Sequence, residues 1–485
     1  MERWKTLLKD GWQKIRTSEM KAEWIVLLML LGFSMFTMFY IDFQATMNWA
    51  YQIVESMYHG EFGGLKYILN TSYGITLFLT FFVWCIPYGA VTSWIPVETP
   101  YFDYCGKISG AVWSKLFLVV VICFFVKAVA KIAVQLKIKK TYQKWIPLFL
   151  LSSALFFLPV IEVSQCDIVG LTFSLWGLYY YMIGDRKKFL IMFAVAIPMK
   201  YFPLMMFVPL VLLHEKKIGK IIFEVISGCS ILVLNILYRK LSLGSFVDSF
   251  SQQGMQQMSG SNATVDGLAD TSANATVTIE SNAIADWLGS FFANTPVFIV
   301  LFLGICIFAY YLSDKQLQNN WAVYLSGLVY TFLYLFLDHN PYRMVMMVPF
   351  LVLLVFMNQN QDKLRLAMIL ETIFGWGLLV ISIFECEWVT GGIDTFSYLF
   401  LRNIEPKRNV CTFFSHVIDL RGLLPYVYAV VLASISGIFL CNRPSVRKTE
   451  ENRGVHFERW IIWCRIGLLA AWIAAVVYII LVRPL

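Results

Sequence analysis

The sequence predicts an all-α, polytopic membrane protein, and three observations lead there. Hydrophobic residues fill 59% of the 485 positions and charged residues only 14%, against about a quarter charged in soluble domains; mean hydropathy is +0.66. Apolar runs, most of them about 17–25 residues long, recur along the chain, as helices crossing a hydrocarbon layer about 30 Å thick require. Lys and Arg collect between these runs, as they do in cytoplasmic loops. The net charge of +8 therefore marks loops beside a lipid bilayer and not a nucleic-acid surface.

The segment 1–22 carries Arg3, Lys5, Lys9, Lys14, Arg16 and Lys21 and is expected in the cytoplasm. The run 23–41 reads as a signal anchor, not a cleaved leader. A long first outer segment, 42–110, follows. Within it 74–95 is apolar enough to span, yet only one crossing fits between Asp42 and the basic stretch Lys127, Lys131, Lys137, Lys139, Lys140 and Lys144. The expectation is a re-entrant or interfacial helix at 74–95, interrupted by Pro87 and flanked by Pro96 and Pro100, with 111–126 as the crossing.

Later apolar runs lie at 146–163, 168–184, 189–199, 203–213, 221–237, 291–312, 321–337, 344–357, 366–384, 424–441 and 461–482. The short pair 189–199 and 203–213 reads as a helical hairpin with Lys200 at its outer tip. Alternation gives about 13 crossings, N-terminus inside and C-terminus outside, with about two-thirds of the Lys and Arg on the cytoplasmic side. The organisation predicted is a cytoplasmic segment 1–22, a transmembrane module 23–357 and a C-terminal transmembrane region 358–485.

Two outer segments stand apart. Residues 239–288 are rich in Ser, Gln, Asn and Thr and predict a flexible loop; Asn70, Asn262 and Asn274 sit in N-x-S/T sequons. Residues 385–423 mix aromatics with Arg402, Lys407, Arg408 and His416, and hold Cys386 and Cys411, a candidate disulfide pair. The other cysteines show no metal-type spacing and behave as small hydrophobes.

With this topology Asp42, Asp167, Lys200, Asp338, His339 and Arg343 gather at one membrane face, each at a helix end beside aromatics or proline. Any one of them alone reads as an interfacial residue reaching for water; all together read as a site. In Tyr40-Ile41-Asp42-Phe43-Gln44 a carboxylate leaves the membrane where it can take a proton from a hydroxyl. In Pro159–Asp167 a helix ends in polar groups, Gln165 and Asp167 among them, suited to sugar hydroxyls. In Pro198-Met199-Lys200-Tyr201-Phe202-Pro203 a Lys stands between two apolar half-hairpins, where a phosphate would offset its cost. Asp338-His339-Asn340-Pro341-Tyr342-Arg343 brings an imidazole, a phenol and a guanidinium within six residues.

In this order the motifs resemble the GT-C superfamily, integral membrane glycosyltransferases that use polyprenyl-phosphate sugars. The pattern is similar to the first mannosyltransferase of the GPI-anchor pathway and to bacterial polyprenol-phosphate-mannose-dependent enzymes. Ile41-Asp42-Phe43-Gln44 resembles the family's Val-Asp-Tyr-Gln, and Met199-Lys200-Tyr201-Phe202-Pro203 its Met-Lys-x-Tyr-Pro. The resemblance covers 25–215 closely and 320–360 loosely. It implies a GT-C-like fold and inverting transfer of a sugar, mannose being the nearest analogue, to a hydroxyl of a glycan or glycolipid acceptor. Asp42 would be the general base. Lys200, His339 and Arg343 would bind the donor phosphate, with Gln44, Gln165, Asp167, Tyr201 and Tyr342 as substrate contacts. The family often has Asp-x-Asp at the first motif, and Tyr40 stands where its first Asp would, so a divalent metal lacks one of its expected ligands. A bacterial plasma membrane, with the site on its outer face, is the expected location.

Two other classes stay open. A lipid-linked oligosaccharide flippase or other transporter would use mid-membrane charges, and Glu224, Glu371 and Arg465 are the candidates; the lack of an internal repeat weighs against it. An O-antigen polymerase or ligase would need a late outer loop rich in Arg and His, which 385–423 matches in part.

Overall fold

The computed structural model describes residues 20–38, 41–65, 74–92, 108–243, 297–312, 314–337, 340–358, 360–386, 421–445 and 459–481, and every element among them is helical. Five helices are long and apolar enough to cross a membrane: Ile75–Thr92, Ser109–Gln135, Gln361–Glu385, Leu424–Cys441 and Arg459–Tyr478. The number rises to seven if each of two bent helix pairs makes one span. Val83, Phe124 and Leu440 on these helices are exposed, an apolar exterior suited to a lipid bilayer. The sequons at Asn70, Asn262 and Asn274, most of the expected loop 239–288, and Cys411 lie outside the described residues.

At the centre stands Met344–Met357, buried along its length from Met344 to Phe356. A helix that is apolar all round is stable only when others surround it. Gln318–Phe336 and Gln361–Glu385 flank it.

The helices follow the apolar runs, with four differences. First, the outer segment 42–110 is not a loop throughout. It contains Ile41–Tyr58 and Ile75–Thr92, packed side by side. The element expected at 74–95 is one continuous helix from Ile75 to Thr92 despite Pro87. Proline removes a hydrogen bond from a helix interior, and neighbours take up carbonyls around it: Trp113 Nε1 donates to Trp84 O at 3.0 Å, and Tyr58 Oη to Ile86 O at 3.4 Å.

Second, the crossing expected at 111–126 extends to Ile108–Gln135, 28 residues or about 42 Å. Lys127 and Lys131 lie on its last turns, because a Lys stem continues a helix at little cost and carries its charge outward. Third, 146–163 is broken at Ser152-Ser153, with a 52° bend, and ends in a π-helical turn, Phe157–Glu162, that accommodates Pro159. Fourth, 221–237 bends by 58° between Ile218–Gly228 and Ser230–Tyr238. At that bend the Phe207 ring would lie 2.3 Å from a Cβ on Gly228, so any side chain there would have to displace the ring.

The break at Ser152-Ser153 leaves backbone groups that cannot go unpaired inside a membrane. Arg465 answers them. It donates to Phe149 O at 2.8 Å and to Ser152 Oγ at 3.0 Å, pairs with Glu371, and lies over the Phe149 ring. Ser153 Oγ donates to Glu371 Oε1 at 2.8 Å. Glu224 is likewise paired, with Arg186. The mid-chain charges Glu224, Glu371 and Arg465 thus hold helices together.

The two ends of the bundle are distinct. Cys166, Lys200, Phe202, Tyr330 and Met346 meet at one. Leu136, Lys137, Leu317, Asn358 and Arg443 meet at the other, where Gln318 also donates to Tyr181 Oη at 2.9 Å. The basic turn after Gln135 therefore sits at the end opposite Lys200.

Candidate functional site

The site is built on the break between Glu162 and Asp167. Gln165 N donates to Pro159 O at 2.8 Å, closing the π-helical turn, and Ser164 takes φ 59°. A left-handed residue just past a helix is usually Gly or Asn. Ser164 fits because its Oγ accepts from the fully buried Lys115, which also donates to Ile161 O at 3.4 Å. The chain then re-enters a helix at Asp167, in the first turn of Asp167–Met182, where the helix dipole favours a carboxylate.

Two cations converge on that carboxylate. Lys200 Nζ lies 2.5 Å from Asp167 Oδ1, and Arg343 Nη1 lies 2.5 Å from Oδ2. The Asp167 side chain is 0% exposed, Arg343 8% and Lys200 27%. The cluster thus holds one positive charge in excess, and Lys200 is its outward edge.

Each cation is held by proline-marked backbone. Lys200 tops the hairpin of Arg186–Ala196 and Phe202–His214; Pro198 and Pro203 break the helical run there. Gly74 presses on this tip so closely that a Cβ would lie 1.7 Å from Pro198 O. Thr76 Oγ1 donates to Val195 O at 2.8 Å beside it. Arg343 ends a 3-10 turn, Pro341–Arg343, opened by Asn340, whose side chain accepts from Tyr342 N at 3.0 Å. Its guanidinium rests over the Phe202 ring at 4.0 Å, which orients a planar cation.

Around the cluster lies a recess lined by Leu77, Cys166, Gly170, Met199, Phe202 and Tyr330, with a cavity of about 10 Å3, room for about one water. Gln165 is buried, and its Nε2 has no hydrogen-bond partner among the described residues. Tyr201 and Tyr342 are half-buried beside the two cations.

Asp167, Lys200 and Arg343 thus come together as three of the sequence-predicted site residues. Both oxygens of Asp167, a residue expected to contact substrate, face Lys200 and Arg343. Asp42 and Gln44 lie on the first turn of Ile41–Tyr58, and their side chains lie outside the described residues. Phe43 packs edge-on against Phe81 at 5.9 Å, one helical turn along from Leu77 at the recess. Asp338 and His339 lie outside the described residues.

Two residues carry no expectation from the sequence, Gly74 and Lys115; Glu162, inside the Pro159–Asp167 motif, has a partner no local pattern names, its Oε2 accepting from Trp472 Nε1 at 2.9 Å. A lone Lys or Glu in an apolar run signals a buried partner; Gly74 left no sequence signal. Among the described residues no group of three His, Cys, Asp or Glu side chains could hold a metal ion. Asp167 does not fit as a metal ligand while it faces two cations. No family model, curated protein or solved structure matches the chain.

Proposed function

We propose that the chain is a membrane glycosyltransferase of the GT-C kind. In this reading the bundle crosses the membrane about 13 times, by the alternation of apolar and basic segments, and works at the non-cytoplasmic face of a bacterial plasma membrane. It moves a sugar, mannose being the nearest analogue, from a polyprenyl-phosphate donor to a hydroxyl of a glycan or glycolipid. One observation carries the reading: Asp167 gathers Lys200 and Arg343 into a cluster of net positive charge, at the end of the bundle opposite the basic turn.

The acceptor oxygen attacks the anomeric carbon as the bond from that carbon to the phosphate oxygen breaks, inverting the centre. The acceptor proton passes to Asp42, and the electron pair leaves on the polyprenyl phosphate. Lys200 and Arg343, with His339, offset the growing phosphate charge, and such fixed charge is usually the largest catalytic contribution. Asp167 positions the two cations before the donor arrives. Gln165, whose buried Nε2 is unpartnered among the described residues, serves the sugar hydroxyls; Gln44, Tyr201 and Tyr342 frame the substrate.

Transfer from radiolabelled polyprenyl-phosphate mannose by the purified protein tests the reading. Asp42→Asn keeps size but cannot take a proton, so turnover should fall about 10²–10⁴-fold with donor binding retained. Wild-type turnover by Asp42→Asn would move the base elsewhere.

One observation favours the transporter class: Lys115, Glu162, Glu371 and Arg465 are all buried along the broken segment 152–164 and its neighbours. Movement of a fluorescent polyprenyl-phosphate lipid across vesicles, undiminished by Asp42→Asn, would support that class over the enzyme.

A further inference from the structure

The end of the bundle opposite Asp167 holds a larger cavity, about 370 Å3, within the range of small-molecule sites. It opens where Ile108–Gln135, Met344–Met357 and Leu424–Cys441 end and Gln318–Phe336 begins. Its floor is a buried amide pair: Asn358 Nδ2 donates to Asn442 Oδ1 at 3.1 Å, and Asn442 Nδ2 to Ile438 O at 2.8 Å. Gln135, Gln316, Asn319 and Asn320 add carboxamides to the wall, Lys137 and Arg443 are exposed at it, and among the described residues no carboxylate lines it. Asp314 lies nearby, accepting from Gln316 N at 3.0 Å.

Lys137 is an unusual residue for its place. Its φ is 55°, and Ile138 N returns to Ala133 O at 3.2 Å, the helix ending in which glycine is the ordinary left-handed residue. Lys137 bears a conformational cost glycine would avoid, and gains a cation at the groove. Three helix C-termini contribute about half a negative charge each and one N-terminus about half a positive. Their sum, about −1, is outweighed by the two cations.

We propose that this groove is a second binding site, for a phosphate ester of a polyhydroxy compound. Lys137 and Arg443 take the phosphate, as a point charge and a planar fork. Carboxamides, which both donate and accept, suit hydroxyl groups. The ligand is either a soluble sugar or glycerol phosphate, or the headgroup of a glycerophospholipid at the membrane surface. The inference is independent of the glycosyltransferase reading.

Full-length protein in detergent, titrated calorimetrically with glycerol 3-phosphate and with mannose 1-phosphate, tests the soluble source. Native mass spectrometry after incubation with phosphatidylglycerol or phosphatidylcholine tests the lipid source. We expect saturable binding of a soluble ester or selective retention of phosphatidylglycerol. Lys137→Gly and Arg443→Gln should each weaken that binding about tenfold, the usual size of a lost charge-assisted contact. Lys137→Gly relieves the left-handed strain, so it should fold at least as stably as wild type, and its loss of binding cannot be assigned to misfolding. Lys140→Gln, exposed and outside the groove, should bind normally. Failure of every probe to bind wild type, or wild-type affinity in the Lys137→Gly/Arg443→Gln double variant, overturns the proposal.

Discussion

The two ends of the bundle handle charge in opposite ways. At one end Asp167, Lys200 and Arg343 face one another around a recess with room for about one water. At the other, Lys137 and Arg443 border a cavity of about 370 Å3 with no acid among the described residues that line it. Two cations that share a carboxylate are held in place before any ligand arrives, and the ligand gains mainly from the charge in excess. Lys137 and Arg443 are instead exposed at an open groove. The first arrangement suits stabilising a charge that appears during a reaction. The second suits holding a charge already present on a ligand. The recess is too small for a sugar, so under the proposed function the donor phosphate would meet the exposed edge of Lys200.

The sharpest way to break this comparison is to remove one arginine from each end. Arg343→Leu leaves the buried Asp167 carboxylate with one partner, so thermal unfolding in detergent should show a loss of about 3 kcal/mol. Arg443→Leu, at an exposed position, should stay within about 0.5 kcal/mol of wild type. Equal losses would mean that the ends do not differ in the way described.

A smaller effect is expected at the hairpin tip. Gly74→Ala places a methyl group 1.7 Å from Pro198 O, so the tip or the start of Ile75–Thr92 must shift, at about 1–3 kcal/mol. Lys200 should move with the tip, and glycosyl transfer should fall more than stability. Unchanged stability and transfer would show that the close approach does not position Lys200. The smallest effect is at the opposite end: Lys137→Gly should gain about 1 kcal/mol, the cost of a left-handed residue bearing a side chain. A loss on the same unfolding scale would show that the Lys137 side chain itself supports the helix end.

The sequence carried the helices and much of the site's address, for a physical reason. Charges are so costly in apolar runs that Lys200 beside Pro198 and Pro203, or Asp167 after Pro159, stands out without any structure. Their partnership did not stand out: Asp167 and Arg343 are 176 positions apart, and no local pattern encodes such a pairing. Pro87 and Pro159 mark the opposite limit. Proline alone does not say which helix runs on, aided by Trp113 and Tyr58, and which ends in a π-helical turn, held by Lys115. In the sequence Lys137 is one Lys of a basic stretch, because a left-handed backbone leaves no trace in a Lys side chain.

The central claim, that the Asp167 cluster is the donor-phosphate site of a glycosyltransferase, meets its most direct test in initial rates measured against donor concentration. With radiolabelled polyprenyl-phosphate mannose, Lys200→Ala should raise the donor KM about tenfold and lower turnover. Lys200→Arg should recover only part of either, because a planar fork does not replace a point charge at a tight hairpin tip. If Lys200→Ala leaves both donor KM and turnover at wild-type values, the cluster does not hold the donor phosphate and the account is wrong.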